Sequence, residues 1–405
     1  MKKSLLTLLM VVFIDASGLG ILFPILNDLL INPYSGFLSF SLSIESRHWL
    51  YSLVIFTFFF SWFLGATFIS KASDQIGRKK SLLICLYGIF IGYLLTIFSI
   101  FFSSVTLLVI GRIIGGFTAG SQPVAQASII DISTPKNKAK NLGLVMLSFS
   151  LGLICGPIIG GILSDSNILP IFNDSSPFYV ILILTIINIV LIKVFFHEPE
   201  IKSAKFKFKL IELLSQFVLA FKIKKVFRLS IVFFIMQLSF NTFYIFISVY
   251  LLERYQYNTF MNSMVMLVLG LSMSISAGFL IGPLTRRFNH HKIISCGLLI
   301  MALSTLALIA TDHTWVPFII AIPFMIAYGA SYTSMLTLFS DSVNENKQGW
   351  VMGITVSLFT FGSAITSIFG GKLMDIAISA PFILAIIGFI ISAIFIMFFY
   401  YQKLK

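Results

Sequence analysis

Long runs of apolar residues, separated by short polar segments, repeat along the whole chain. An α-helix needs about 20 apolar residues to cross the hydrocarbon layer, whereas a membrane β-strand needs about ten. The runs are long enough for helices and too long for the strands of a barrel. The pattern therefore predicts an all-α integral membrane protein with twelve transmembrane helices at residues 5–31, 49–70, 80–102, 104–130, 141–163, 177–196, 228–252, 260–284, 292–311, 314–339, 348–374 and 380–401.

Basic residues lie almost entirely on one side of this predicted topology. With the N-terminus inside, 24 of the 28 lysines and arginines fall in inner segments, three fall outside, and Arg112 lies within a span. Because cytoplasmic loops are enriched in Lys and Arg, the asymmetry predicts that both termini are cytoplasmic. Topology thus accounts for the net charge of +13, and we expect no nucleic-acid partner.

Composition and cysteine use exclude several other classes of protein. Only 11% of the residues are charged and 58% are hydrophobic, whereas soluble domains carry about 25% charged residues. The start, Met1–Lys3 followed by an apolar run, resembles a signal peptide but lacks a cleavage site, so we expect a retained first helix. The three cysteines lie in apolar runs and predict neither a disulfide framework nor a metal pair. No cofactor and no metal are expected.

One long polar segment, 197–227, divides the predicted spans into two halves of six helices, 1–196 and 228–405. The segment is rich in lysine with interleaved Phe and Leu, which fits either an amphipathic helix on the inner leaflet or a flexible basic linker. The halves look like distant repeats, since a similar polar loop follows the second span (70–80) and the eighth (282–292). Many secondary transporters have this organisation, with a substrate site near the midplane.

Two charged residues lie deep within the predicted spans, Asp15 in the first and Arg112 in the fourth. A charge in lipid is costly, so both side chains should face the bundle interior or water. We interpret them as proton-coupling residues, because a cation favours proton release from a nearby carboxylic acid. The alternatives are a structural aspartate bonded to a neighbouring helix and a structural ion pair. The two residues should differ in depth by about 12 Å, so we expect them to communicate through water or through Gln122 and Gln126.

Small residues recur at every fourth position on the fifth and eighth spans. They are Gly152, Gly156 and Gly160 on the fifth, and Gly270, Ser274, Gly278 and Gly282 on the eighth. A smooth face of this kind lets another helix backbone come close. We therefore predict that the fifth and eighth spans pack against each other.

Four segments together resemble the major facilitator superfamily, and within it the twelve-helix drug:proton antiporters. The runs Asp15–Pro24 and Gly111–Gly120 look most like the tetracycline-resistance efflux group. The run Gly152–Gly161, which includes Pro157, is similar to the antiporter signature G-x3-G-P-x2-G-G of exporters.

The loop after the second span resembles the superfamily signature G-x3-D-R-x-G-R-[RK]-[RK]. Ser70 replaces its first glycine and Gln75 its first arginine, while the other motif positions match. The resemblance implies a cytoplasmic gate, formed by Asp74, Gly77, Arg78 and, at the inner end of the fourth span, Asp131. It also implies alternating access, in which inward proton flow drives substrate outward, in a multi-pass protein of the bacterial inner membrane.

The second half offers no counterpart to Asp15 or Arg112. We therefore expect proton coupling in the first half and substrate selection mainly in the second. Polar residues at suitable depth form the candidate substrate cavity: Gln122, Gln126, Gln237, Asn241 and Tyr244. The 44 phenylalanines fit either an aromatic pocket or bulk that faces lipid.

The predicted function is proton-driven export of amphipathic small molecules by a monomer. One alternative is export of a specific endogenous metabolite such as a siderophore. Nutrient import is a further alternative, against which the signature in the fifth span argues. A membrane receptor is disfavoured by the charged midplane residues and by the lack of an appended soluble domain. The sequence shows no P-loop and no nucleophile motif, so we expect neither ATP drive nor an enzyme.

Overall fold

The structure, a computed structural model, describes residues 2–133, 138–197, 223–343 and 348–404. These ranges are helical and contain no strand. The helices are α1 (Lys2–Leu30), α2 (Ile44–Ile76), α3 (Arg78–Phe101), α4 (Val105–Thr118), α5 (Ser121–Asp131), α6 (Lys138–Leu163), α7 (Ser176–Phe195), α8 (Lys224–Tyr255), α9 (Thr259–Ile275), α10 (Ile281–Arg287), α11 (His290–Ala310), α12 (Val316–Ser340), α13 (Gln348–Ile376) and α14 (Ala380–Leu404).

In the described part of the chain, 11 segments are helical, long and apolar enough to cross a membrane. The remaining predicted span, 141–163, lies in α6, where the apolar run Leu147–Leu163 is shorter. The fourth predicted span comprises two helices, α4 and α5, which are separated at Ala119 and Gly120. The chain is therefore a multi-pass membrane protein.

The described residues form two compact units. One lies within Met1–Lys207 and Tyr257–Leu267, and the other within Phe208–Gln256 and Val268–Lys405. The first unit thus includes the start of α9, which belongs to the predicted second half. Most of the predicted linker, residues 198–222, lies outside the described residues. The predicted division at 1–196, 197–227 and 228–405 stays a prediction.

In the first unit, α1 lies at the centre of an apolar core. Its residues Leu8, Val11 and Val12 are fully buried among side chains of α3, α5, α6 and α7. A helix that is apolar on all sides is expected to be buried by other helices or by lipid. Helices pack around α1 at the level of these residues, and Asp15, one turn further along, faces Ser121 of α5.

A buried arginine organises the loop between α1 and α2 in the same unit. Arg47, in the first turns of α2, is 1% exposed and donates to backbone carbonyls on the preceding segment. The acceptors are Leu30, Asn32, Ser39 and Leu42. Leu30 ends α1, so the guanidinium also meets the negative end of that helix dipole. Arg47 therefore holds the loop between α1 and α2 against the end of α1.

In the second unit, aromatic rings join α8 to α12. The rings of Phe240 and Tyr328 stack with centroids 3.5 Å apart, and Phe243 stacks on Phe324 at 3.8 Å. Between α9 and α10 the chain makes a π-helical turn, Ser276–Leu280. The Ser276 hydroxyl donates to the Ile326 carbonyl at 2.7 Å. The π turn is thus tied to α12 by a side-chain hydrogen bond.

The loop between α6 and α7 carries a carboxyl group with a perturbed pKa. Burial, together with the negative charge of Asp28, raises the pKa of Asp174 from 3.8 to about 7. The folded protein therefore binds more protons than the unfolded chain between these two pH values, so its stability falls as pH rises through this window.

Asp174→Asn is expected to remove this pH-dependent loss of stability, since an amide does not ionise. The Tm of the variant should exceed that of the wild type at about pH 8 and should approach it near pH 4. Thermal unfolding in detergent across this range measures the difference. Asp28→Asn should recover part of the gain, because it removes the second cause of the shift. A constant Tm difference at all pH values would contradict the prediction.

Candidate functional site

The carboxylate of Asp15 meets the break in the fourth span. Ser121, the first residue of α5, donates its hydroxyl hydrogen to Asp15 Oδ2 at 2.5 Å. The N-terminus of a helix carries a partial positive charge, so α5 begins where an anionic group lies. Ala119 and Gly120, which interrupt the helix, place this N-terminus inside the span. Interrupted helices of this kind line binding sites in many secondary transporters.

Arg112 lies on α4 and is 3% exposed. Its Nη2 donates to the Thr96 hydroxyl at 2.5 Å, and that hydroxyl donates to the Gly92 carbonyl at 2.8 Å. Among the described residues, Arg112 Nε is buried with no hydrogen-bond partner. A buried N–H without a partner is uncommon in proteins and calls for a bonding group such as water.

A small cavity of about 30 Å³ joins the two charged residues. Its walls come from α1, α2, α3, α4 and the start of the helix break, and they are Asp15, Gly18, Leu19, Leu22, Phe58, Ile89, Gly92, Tyr93, Arg112, Gly115 and Ala119. A water molecule needs about 10–15 Å³ of such space and two to four polar partners. The cavity therefore has room for one or two water molecules.

The cavity extends along α1 from Asp15 to Leu22, which corresponds to about 10 Å of helix rise. The difference in depth that the sequence predicts for Asp15 and Arg112 stays a prediction. Within the described part of the chain, the two side chains make no ion pair with each other. Their charges act across a shared, water-sized space.

At the junction of α2 and α3, the predicted gate residues come together in part. Arg78 Nε lies 3.1 Å from Asp131 Oδ2, and Nη1 donates to the Ser73 hydroxyl at 2.5 Å. Gly77 separates α2 from α3 with a φ of 103°, a conformation that residues with a Cβ rarely adopt. The side chain of Asp74 lies outside the described residues. The structure thus links the loop after α2 to the inner end of α5.

Arg78→Gln is expected to slow transport by about fivefold, the change in population that ~1 kcal/mol produces. Its partner is 38% exposed, and exposed ion pairs add little stability, so the Tm should hardly change. Lys80→Gln is the matched control, because it removes one positive charge from the same loop at an exposed position. Equal slowing by both variants, measured as transport rate in proteoliposomes, would contradict a specific role for the Arg78–Asp131 pair.

The glycines of the antiporter motif pack against α1, which corrects the partner predicted from the sequence. A Cβ on Gly152 would lie 2.5 Å from the Phe13 carbonyl oxygen, and one on Gly156 would lie 2.5 Å from the Ser17 carbonyl oxygen. Conversely, a Cβ on Gly20 would lie 2.5 Å from Pro157 Cδ. The close partner of Gly152 and Gly156 is therefore α1 and not the eighth span, whose start meets α6 at Gly161 instead. The stripe meets α1 because α1 carries small residues of its own at matching positions.

The other two motif glycines have different surroundings. A Cβ on Gly160 would make ordinary contact with Ile21 Cα at 3.4 Å. One on Gly161 would lie 2.6 Å from Ser263 Cβ at the start of α9. The motif therefore serves close helix approach on two sides of α6.

Gly156→Leu is expected to abolish transport and to lower the Tm, because overpacking typically costs about 1–3 kcal/mol. The leucine would separate α6 from α1, and α1 carries Asp15. Gly278→Leu is the control, since a Cβ there meets nothing within 4 Å. Transport assays and thermal unfolding of both variants test this, and wild-type transport by Gly156→Leu would exclude the close contact.

The candidate substrate residues differ in whether their side chains already interact with other residues of the protein. Gln122 and Gln126 are partly buried on one face of α5, and the described residues offer neither a hydrogen bond. Gln237 accepts from the Tyr328 hydroxyl at 3.3 Å, and Asn241 Nδ2 donates to the Phe359 carbonyl at 3.4 Å. Tyr244 stacks on Phe240 with centroids 5.5 Å apart. The glutamines of α5 are thus the freer polar groups.

Sequence reasoning missed three residues of the cavity region: Tyr93, Thr96 and Ser121. A signal for the first two exists, because Tyr93 and Thr96 lie one turn apart in a mostly apolar stretch of the helix and so share a face. Ser121 has no comparable signal, since serines are common in membrane helices and only the break in the fourth span brings this one to Asp15.

The sequence model of the Major Facilitator Superfamily matches residues 5–364 of the chain. The class H tetracycline resistance protein of Pasteurella multocida is 28% identical over 375 residues, which cover 91% of this chain and 88% of the relative. The quinolone resistance protein NorA of Staphylococcus aureus (strain MSSA476) is 26% identical over 348 residues, covering 82% of this chain and 83% of the relative.

Among solved structures, the xylose transporter XylE from E. coli superposes with a TM-score of 0.75 at 13% identity, covering 98% of this chain and 97% of that one. At this level of identity the likeness shows the fold. The family match begins before Asp15 and includes the gate loop and the antiporter motif. On the motifs, the helical fold and this match together, the chain belongs to the major facilitator superfamily.

Proposed function

We propose that the protein is a proton-coupled exporter of amphipathic small molecules that works by alternating access. The observation that carries this proposal is the cavity that contains both Asp15 and Arg112, which share a buried, water-sized space without a direct ion pair. A carboxylate in such a place can bind and release a proton without breaking a structural salt bridge. Family members couple transport to protons and alternate access in general.

Drug-like substrates are supported by the relatives. Two of them carry the names of chemically different drug classes, tetracyclines and quinolones. We infer that the present chain exports compounds with aromatic and polar parts, with Gln122 and Gln126 as hydrogen-bonding groups of the substrate cavity. Export of one endogenous metabolite by the same machinery is the second candidate.

Topology and location are part of the proposal. We infer twelve transmembrane helices, both termini in the cytoplasm, and residence in a bacterial inner membrane as a monomer. The charge asymmetry of 24 inner against three outer basic residues supports this orientation. In this orientation the Arg78–Asp131 pair lies at the cytoplasmic end and acts as the gate.

Proteoliposomes with an imposed pH gradient test the function directly. Purified protein is reconstituted, and uptake of tetracycline, a quinolone and a panel of metabolites is followed with the gradient in each direction. Accumulation that depends on the gradient and exchanges compound against protons supports the proposal. Movement of substrate and protons in the same direction would indicate an importer, and the compound that accumulates separates a drug from an endogenous metabolite.

A further inference from the structure

We propose that Tyr93 is a positioning residue for proton exchange, whose hydroxyl organises the water-sized space between Asp15 and Arg112. This inference rests on the proposed function, because it assigns a role within the same site. Tyr93 lies on α3, a helix that carries neither of the two charged residues.

The first observation is that the Tyr93 hydroxyl packs against Gly18 of α1. A Cβ built on Gly18 would lie 1.8 Å from Tyr93 Oη. The hydroxyl thus occupies the space that any other residue at position 18 would fill with its side chain. Gly18 follows Asp15 by three residues and lies on the same face of α1. Because Gly18 has no side chain, the Tyr93 hydroxyl can lie against α1 one turn from the Asp15 carboxylate.

The second observation is the arrangement on α3. Thr96, which accepts from Arg112 Nη2, follows Tyr93 by three residues, so one face of α3 presents both groups. Thr96 is committed to two bonds, with Arg112 and with the Gly92 carbonyl. The Tyr93 ring is backed by Phe178 of α7, with centroids 6.1 Å apart. The ring is therefore held between two helices while its hydroxyl reaches the cavity.

The third observation is the set of polar groups around the cavity. Asp15 offers acceptors, and Arg112 Nε offers a buried N–H with no partner among the described residues. A buried water typically makes about three hydrogen bonds. The phenolic hydroxyl both donates and accepts, so Tyr93 supplies a further hydrogen-bond partner for the one or two waters that the space between the charged groups can hold.

The test compares Tyr93→Phe with the wild type in proteoliposomes, with tetracycline as the probe. Two rates are measured: uptake driven by a pH gradient, and exchange of labelled for unlabelled compound at equal pH. Exchange should stay within about threefold of wild type, and gradient-driven uptake should fall at least about tenfold, because positioned proton-transfer groups contribute about 10²–10⁴-fold. Tyr87→Phe, at an exposed position of α3, is the matched control and should change neither rate.

A second measurement does not depend on any substrate. Infrared difference spectra between acid and alkaline pH contain carboxyl bands, and the band that Asp15→Asn removes belongs to Asp15. Tyr93→Phe should move the frequency of this band, because the hydrogen-bonding surroundings of the carboxyl group change, and Tyr87→Phe should not. If the wild type fails to use the gradient while the band still moves, the proposed function is wrong and the placement of Tyr93 stands.

Gly18→Ala supplies an independent test of the same contact. The added Cβ displaces the Tyr93 hydroxyl, so this variant should lose gradient-driven uptake as Tyr93→Phe does. In a double-mutant cycle the two losses should not add, because both remove one interaction. Should Tyr93→Phe not yield folded protein, Gly18→Ala is read by the same two measurements. Additive losses, an unmoved Asp15 band, or an equal loss of exchange and uptake would overturn the proposal.

Discussion

Asp15→Asn is expected to abolish efflux driven by a pH gradient while substrate exchange at equal pH continues. The asparagine keeps the shape of the side chain and can still accept the hydrogen bond from Ser121, so the packing around α1 should be preserved. It cannot take up or release a proton. We expect gradient-driven transport to fall by at least about 100-fold, the contribution of a positioned proton-transfer group.

The matched control for this variant is Asp165→Asn, which changes a carboxylate in the outer loop after α6. It should leave both transport rates unchanged. Exchange at equal pH is the decisive companion measurement, because it separates lost coupling from lost folding. Full gradient-driven transport by Asp15→Asn would remove this residue as the proton carrier. Loss of both rates together with a lower Tm would favour the structural interpretation of Asp15.

Arg112→Met is expected to be equally damaging to gradient-driven transport, and at the same time to leave the Tm unchanged or to raise it. A buried cation costs free energy, and replacing buried ions by apolar side chains is often neutral or stabilising by about 1–4 kcal/mol. The described residues offer Arg112 a hydroxyl partner and no carboxylate partner. Arg112 lines the same cavity as Asp15, so the variant removes the positive charge that we propose assists proton release.

The combination of lost coupling and retained stability distinguishes a functional cation from a structural one. Arg112→Lys is the conservative variant: it keeps the charge but lacks the planar fork of a guanidinium. We expect it to keep part of the coupling, at least about tenfold below wild type, because it cannot make the same bonds. Thermal unfolding and the two proteoliposome rates decide the matter. A clearly lower Tm for Arg112→Met would support a structural role for Arg112 in place of a coupling role.

Both large effects are expected in the first half, because the second half offers no counterpart to Asp15 or Arg112 deep within a span. The polar residues considered there, Gln237, Asn241 and Tyr244, hydrogen-bond or stack within their own unit. Substitutions at these positions should therefore alter the choice of substrate more than the response to a pH gradient.

The sequence by itself determined the class of protein and the approximate positions of 11 spans, and it singled out Asp15 and Arg112, which line one cavity. Each of these follows from a strong and local physical constraint. A helix needs about 20 apolar residues to cross lipid, and a charge at such depth is too costly to occur without a reason. The family motifs were also readable, because they are short and lie on single helices or loops.

Only the tertiary structure decided which surfaces meet. The glycine stripe on α6 predicts that another helix packs closely there, but any helix with small residues could be that partner. In the structure, the partner of Gly152 and Gly156 is α1. The pattern of apolar residues likewise gave no sign that Ser121 would face Asp15, or that Arg47 would be buried against the end of α1. Hydroxyls, carbonyls and small residues occur throughout the chain, so their partners are fixed by the simultaneous packing of many helices and not by local sequence.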